Sequence, residues 1–413
     1  MSNKKVSVVV TGVGAVAPNG KNARDFYQNC ISGVTGIRES SVMKDFNYMT
    51  KYAGEIVTDK PLRWESKFRE IGERACADML EDAQISKEYI EKLKERAVFS
   101  LASANLGSLR LEPLLRIKYG FDYTGITYDP GEYIKSNCSM LDFNSADCFY
   151  HFSNILGISG NVMGVNAACA SGTLAIGEAV RMIETGRADM AVTAGIDVLS
   201  DLSLAGFNSL ENLSTTPCKP FDINREGITI GEGAAFIMLE REDLALQRGA
   251  KIYGRIFGFA SMNEAYHVTA PDPSGKGAFF CMNKVLEKIK GLQGKSLYIN
   301  AHGTSTSVND AMEIKAMELL SQTHKTDHLW FSSTKSMIGH CLGAAGSLEF
   351  VCSVIGLKEG TMPVSISVEN PMEYDNKIMT LVTDKSKSRQ YDLFLSNSFA
   401  FAGNMACIGV EQL

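Results

Sequence analysis

Runs rich in Val, Ile and Gly take turns with segments of helical period along this chain of 413 residues, and the whole rhythm is played twice. Strand-like runs at residues 6–10, 97–102, 190–194 and 234–239 alternate with helix-like segments at 67–81 and 171–184. Near residue 250 the pattern starts again, with apolar runs at 252–259, 298–301 and 330–333 and helical periods near 278–289 and 308–320. Strands that are apolar throughout and separated by helices are buried on both faces, so parallel-rich sheets covered by helices are predicted. The chain divides into two α/β halves, 1–250 and 251–413, and its length suits two such units better than one core.

Hydrophobic residues make up 45% of the chain and charged residues 21%, the balance of a packed globule and not of a disordered chain. The net charge of -6 comes without a long basic run, which argues against a nucleic-acid or anionic-membrane surface. Ten cysteines are scattered with no CxxC pair, so neither a zinc site nor a disulfide framework is predicted, and reduced cytoplasmic thiols are the simplest reading. The apolar run at 6–10 is too short for a signal peptide or a membrane span; it reads as a first buried strand broken by Gly12 and Gly14. Residues 106–142 carry several tyrosines, mixed charges and no clean period, and no element is assigned there.

Val165-Asn166-Ala167-Ala168-Cys169-Ala170-Ser171-Gly172 closes an apolar run with tiny residues and opens the helical segment at 171–184. A cysteine is most often a small buried hydrophobe. Here one thiol sits on a sharp strand-to-helix turn, where small neighbours leave room for a substrate and the helix start favours a thiolate. Two of the six histidines lie in similar settings, His302 in NAHGTST and His340 in KSMIGH, each after a strand-like run and so near the carboxyl edge of a sheet.

With these blocks in view the chain resembles the β-ketoacyl-[acyl carrier protein] synthases of the thiolase superfamily, in the branch that elongates acyl chains. The resemblance spans nearly the whole sequence, through VNAACASG, PFDINREGITIGEGAA, AYHVTAP, NAHGTSTSVNDAMEIKA, STKSMIGHCLGAAGS and NSFAFAG. It implies a thiolase-like α/β fold, two related halves in a five-layer αβαβα arrangement, with a dimer built on the strand before Cys169. It also implies that Cys169 accepts the acyl chain, and that His302 and His340 bind the malonyl thioester carbonyl and promote loss of CO₂. Lys335 is then an electrostatic support and Glu313 the carboxylate that organises the polar network near it. The N–H groups of Cys169 and Phe401 form an oxyanion hole, and Phe401 gates the acyl tunnel. No cofactor or metal enters this reading.

The departures are local. The gating loop of the family usually reads Gly-Phe-Gly-Gly, and here it is Ala400-Phe401-Ala402-Gly403, followed by Asn404 and Met405 in place of Thr-Asn. A stiffer gate is predicted. Glu211 stands where many bacterial members carry a carrier-docking arginine, which leaves Lys60 and Arg63 as docking candidates. A thiolase would need a second catalytic Cys, and Cys407 reads as a strand residue. A starter-unit synthase would have Asn in place of His340, and a non-catalytic chain-length factor would lack Cys169. The segment 194–235 is most similar to ketosynthase subunits of type II polyketide systems, which implies an acyl carrier protein and a chain-length-factor paralogue as partners, with fatty-acid elongation by a homodimer as the alternative.

Overall fold

In a computed structural model, which describes residues 6–43, 48–59, 62, 64–106, 108–110, 112, 146–289 and 291–413, one strand order appears twice. Lys60, Arg63 and most of the 106–142 stretch lie outside the described residues. The strands are β1 (Val8–Val16), β2 (Ile37–Glu39), β3 (Tyr52–Gly54), β4 (Ala97–Ala102), β5 (Val162–Val165), β6 (Met190–Asp197) and β7 (Gly233–Arg241). The second half adds β8 (Gly254–Asn263), β9 (Leu297–Asn300), β10 (Leu329–Ser332), β11 (Met379–Leu381), β12 (Leu393–Phe399) and β13 (Asn404–Glu411). From β1 outward the order is β7, β6, β4, β5; from β8 outward it is β13, β12, β9, β10, β11. In each array the first two pairings are antiparallel and the rest parallel. A three-residue ladder, Val8–Val10 against residues 254–256, joins the arrays into one eleven-stranded sheet.

Three buried apolar clusters fill the spaces between layers. The helices Trp64–Ala83 and Ala146–Leu156 close over β4, β6 and β7 through Phe68, Ile71, Met79 and Phe152. Helices Lys276–Leu286 and Ser307–His324 close over the second array through Met282, Val285, Met312 and Met317. Between the arrays lie Ser171–Glu184 and Ala345–Glu359, packed on each other and on strands of both halves through Ile176, Val180, Leu348 and Val351. This is the predicted αβαβα stacking, in which the central helices are shared by both halves.

The glycines expected to end the first strand lie inside it. A Cβ on Gly12 would stand 2.5 Å from Ala83 Cβ, and one on Gly14 only 2.1 Å from the Ala75 carbonyl oxygen. They let the Trp64–Ala83 helix lie directly on β1, and its Asp78 and Asp82 accept hydrogen bonds from Ala15 and Val13 N–H, each at 3.0 Å. At the far edge of the sheet, β5 has only β4 as a neighbour among the described residues, and Val162 is 40% exposed. The nine described cysteines are all free and buried. Among the described residues no helix is long and apolar enough to cross a membrane.

Candidate active site

Cys169 sits on the turn between β5 and the Ser171–Glu184 helix. Ala168 takes a left-handed conformation there (φ 50°), and the N–H groups of Ala170 and Ser171 fold back on Ala167 O (3.1 Å) and Ala168 O (3.2 Å). The Ser171 hydroxyl accepts from Ala167 N–H at 2.8 Å and donates to Ala168 O at 2.6 Å, which fastens the elbow. Small residues are required beyond it, since a Cβ on Gly172 would stand 2.7 Å from the Ser347 nitrogen at the start of the facing central helix. The helix start was expected to favour the thiolate. Burial opposes this and pushes the thiol up to about 12, with the Lys335 charge pulling the other way.

His302 follows β9, and its backbone is held by Glu313 of the Ser307–His324 helix. That carboxylate accepts from His302 N–H at 2.8 Å and Gly303 N–H at 2.9 Å, and from the Asn397 amide of β12 at 3.1 Å. Burial pushes the Glu313 carboxyl up to about 7, against those three donors. Glycine is needed at 303, where φ is 38° and a Cβ would meet Ser333 Cβ at 2.6 Å. His340 follows the Lys335–Ile338 turn of helix, and the PFDINREGITIGEGAA loop clamps it: His340 N–H donates to Thr229 O at 2.7 Å and His340 O accepts from Gly231 N–H at 2.9 Å.

The two imidazoles meet edge to face with centroids 5.4 Å apart. His340 Nδ1 accepts from Leu342 N–H at 3.1 Å, and His302 Nδ1 lies 3.4 Å from the Lys335 ammonium, which has only protons to offer. Each ring therefore carries its proton on Nε2. Burial holds both rings well below the ordinary imidazole value, and the Lys335 charge lowers them further. Two neutral N–H donors result, suited to an oxygen that gains negative charge.

Lys335 is fully enclosed. Its ammonium donates to His302 O at 2.6 Å and is paired with Glu349 of the central Ala345–Glu359 helix. The carboxylate beside the lysine is thus Glu349, while Glu313 serves the His302–Gly303 backbone. Glu349 was missed in the sequence; its one signal was a single charge inside the apolar run from Leu348 to Leu357. Asp197 was missed as well. It accepts from Ala104 N–H (2.8 Å), Gly343 N–H (2.7 Å) and Ser103 Oγ (2.7 Å), and so ties the turn after His340 to the end of β4.

Cys169, His302, His340, Phe399 and Phe401 line one cavity of about 280 Å³, with Thr304, Thr306 and His267 on its walls. At its mouth Ala400 N–H donates to Asn404 O (2.8 Å) and Ala402 N–H to Val268 O (2.7 Å). No described hydrogen bond engages the Phe401 N–H between them. The Phe401 ring leans on Phe207 at 5.7 Å. The two alanines of the loop differ: Ala400 is extended (φ -133°), whereas Ala402 is left-handed (φ 60°, ψ 20°). Left-handed backbone costs a non-glycine residue about 1–2 kcal/mol. Ala402→Gly relieves that cost in the loop as it stands and is accordingly expected to raise stability by about 0.5–1 kcal/mol once the freer unfolded chain is counted, whereas Ala400→Gly, at an extended position, should lower it by a similar amount. Denaturant unfolding of the two variants checks this, and equal effects of the two substitutions would remove the backbone explanation.

Comparison with known proteins places this arrangement. The family model described as Beta-ketoacyl synthase, N-terminal domain, matches residues 5–245, and its C-terminal companion matches residues 253–369. The chain belongs to the β-ketoacyl synthase family. This ketosynthase is 34% identical to 3-oxoacyl-[acyl-carrier-protein] synthase 2 of Synechocystis over 99% of both chains. It is 32% identical to the mitochondrial 3-oxoacyl-[acyl-carrier-protein] synthase of Arabidopsis thaliana, over 97% of this chain and 92% of that one. Among solved structures, the ketosynthase of a type II polyketide synthase bound to a hexaketide, in complex with its acyl-carrier protein, superposes with a TM-score of 0.86 at 27% identity, over 99% of this chain and 100% of that one. The Xenorhabdus doucetiae ketosynthase solved with its chain length factor gives 0.75 at 26%, over 99% and 98%. The ketosynthase is a condensing acyltransferase with the thiolase-like fold.

Proposed function

We propose that this ketosynthase loads an acyl chain on Cys169 and extends it with a malonyl unit carried by an acyl carrier protein, as the ketosynthase subunit of a cytoplasmic type II polyketide system paired with a chain-length-factor paralogue. The observation that carries the chemistry is that Cys169 lines one cavity with two imidazoles whose Nδ1 atoms are both engaged, which leaves Nε2–H as the donor of each. In the first half-reaction Cys169 Sγ attacks the acyl thioester, the oxyanion rests against the N–H groups of Phe401 and Cys169, and the carrier thiol departs with the proton of Cys169. In the second, the bond to the malonyl carboxylate breaks and CO₂ leaves. The electron pair moves to the thioester oxygen, held by His302 and His340. The enolate carbon then forms a bond to the acyl carbon while the bond to Cys169 Sγ breaks, and the freed sulfur takes a proton from solvent. Lys335 transfers no proton in this scheme; burial and, after it, the Lys335 charge keep both rings neutral.

The polyketide assignment is supported by the two solved ketosynthases just named, one with a carrier protein and one with a chain length factor. The half-exposed edge strand β5, next to Cys169, is the surface we assign to the partner subunit. A second reading, fatty-acid elongation by a homodimer, is favoured by the 34% identity to the Synechocystis synthase. Co-expression with a neighbouring cysteine-less paralogue, followed by native mass spectrometry and condensation assays, separates them. A stable heterodimer that is active only with that paralogue is expected; a homodimer that extends saturated acyl carriers unaided overturns the polyketide assignment.

A further inference from the structure

One wall of the cavity mouth is the short helix Asp201–Ser209 with the residues that follow it. Phe207 carries the gating Phe401 ring, and Leu210 and Asn212 line the cavity beyond. The condensation chemistry does not touch the other end of this helix, yet that end is anchored twice. Ser200 caps it, its hydroxyl accepting from Ser203 N–H at 3.2 Å, and Ser203 Oγ donates to Asn105 Oδ1 at 2.8 Å, in the loop that Asp197 holds. A second anchor comes from 89 residues earlier in the chain. Glu112 Oε2 accepts from Asp201 N–H at 3.0 Å and Oε1 from Leu202 N–H at 3.1 Å. Burying a carboxylate is costly, and Glu112 is 4% exposed. Burial, with the facing Asp201 carboxylate, pushes its carboxyl up to about 6, which leaves it ionised at neutral pH. Ser200 reaches only the Ser203 N–H, so the Glu112 carboxylate takes the other two orphan donors of the first turn, and by doing so from a distant segment it fixes where the helix stands.

We propose that Glu112 is a positioning residue for the gate: by pinning the first turn of the Asp201–Ser209 helix it sets where Phe207 meets Phe401, and so governs how readily the loop opens to long acyl chains. The inference deepens the condensing-enzyme reading and rests on it. It gives a role to a residue just ahead of the 113–145 stretch, and it reaches the active site through backbone N–H groups without touching substrate.

The test compares wild type, Glu112→Gln, Phe207→Ala and the double variant, each purified with whatever partner the wild type requires. Intact-mass acylation of Cys169 and condensation rates are measured over a series of acyl carriers. Gln keeps the size and one acceptor oxygen but loses the charge and one bond. It is expected to lower condensation roughly five- to tenfold for long chains while short chains are little affected, with thermal unfolding nearly unchanged. Because Glu112 acts through Phe207, the two substitutions should be strongly non-additive for long chains, and Glu112→Asp should restore part of the loss. An unchanged chain-length profile overturns the proposal. So does a uniform loss at all lengths that follows the unfolded fraction, or full additivity with Phe207→Ala. A wild type that never acylates Cys169 would instead bring down the underlying functional reading, and the acylation measurement tells the two failures apart.

Discussion

Cys169→Ala is expected to abolish acyl loading and to lower condensation by roughly 10⁵-fold or more, the scale on which loss of a nucleophile acts. Intact-protein and peptide mass spectrometry after incubation with an acyl carrier should find the acyl group on Cys169 alone. An adduct on any other of the ten cysteines would move the site. The two histidines should divide the reaction cleanly from this residue. On the proposed mechanism His302→Ala and His340→Ala each remove one of the two Nε2–H donors to the enolate oxygen, a loss worth about 10²–10³ in rate. Acylation of Cys169 should survive both substitutions, because in the proposed loading step the oxyanion rests on backbone N–H groups. Equal damage to loading and decarboxylation would reassign the rings to activation of the thiol.

Lys335→Met should be the most destabilising conservative change at the site, by about 3–5 kcal/mol, because it leaves Glu349 buried without its cation. Glu349 Oε2 already has no hydrogen-bond partner among the described residues. Burial pushes the Glu349 carboxyl up to about 7, with Lys335 the main force holding it down, so the variant carries it higher still. A carboxyl raised in the folded state holds a proton that the unfolded chain releases. The stability of the variant therefore falls as pH rises from the ordinary carboxylate range toward the raised value. Denaturant unfolding at pH 6 and pH 8 should show the larger deficit at pH 8, and Lys335→Met/Glu349→Leu should recover most of it. A deficit independent of pH and of Glu349 would refute the pairing. Without the ammonium both rings also move back toward the ordinary imidazole value, so the acid limb of condensation should shift to higher pH.

Local pattern carried much of this in the sequence. The helix at 171–184 and the strand at 97–102 match at both ends, because the helix keeps one apolar face along its length and the strand is apolar almost throughout, each bounded by small or polar residues. The first strand ran on through Gly12 and Gly14, since what those glycines answer to is a helix some 65 residues away, and no local pattern shows it. Cys169, His302 and His340, which line one cavity, were legible as candidates because a thiol and two imidazoles in Gly- and Ala-rich turns have few structural uses. The carboxylates were not. Glu313, Glu349, Asp197 and Glu112 each act on groups distant in sequence or on a backbone N–H, and their roles follow from topology. The resemblance supplied Glu313 as the organiser of a polar network, and the structure names its donors, the His302 and Gly303 N–H groups and the Asn397 amide.

The site draws its thiol from one array of strands and its imidazoles and gate from the other, and this bears on how the protein is made. Ribosomes add about 5–20 residues per second, so the roughly 230 residues between Cys169 and Phe401 take on the order of 12–46 s to emerge. During that interval the nascent chain holds a cysteine elbow with no Nε2–H donors, no Phe401 N–H and no Lys335 beside it. Cys169 is thus synthesised well before the last strand pair, β12 and β13, closes on β8 and β9, and on the proposed mechanism a partly finished chain lacks donors that both half-reactions need.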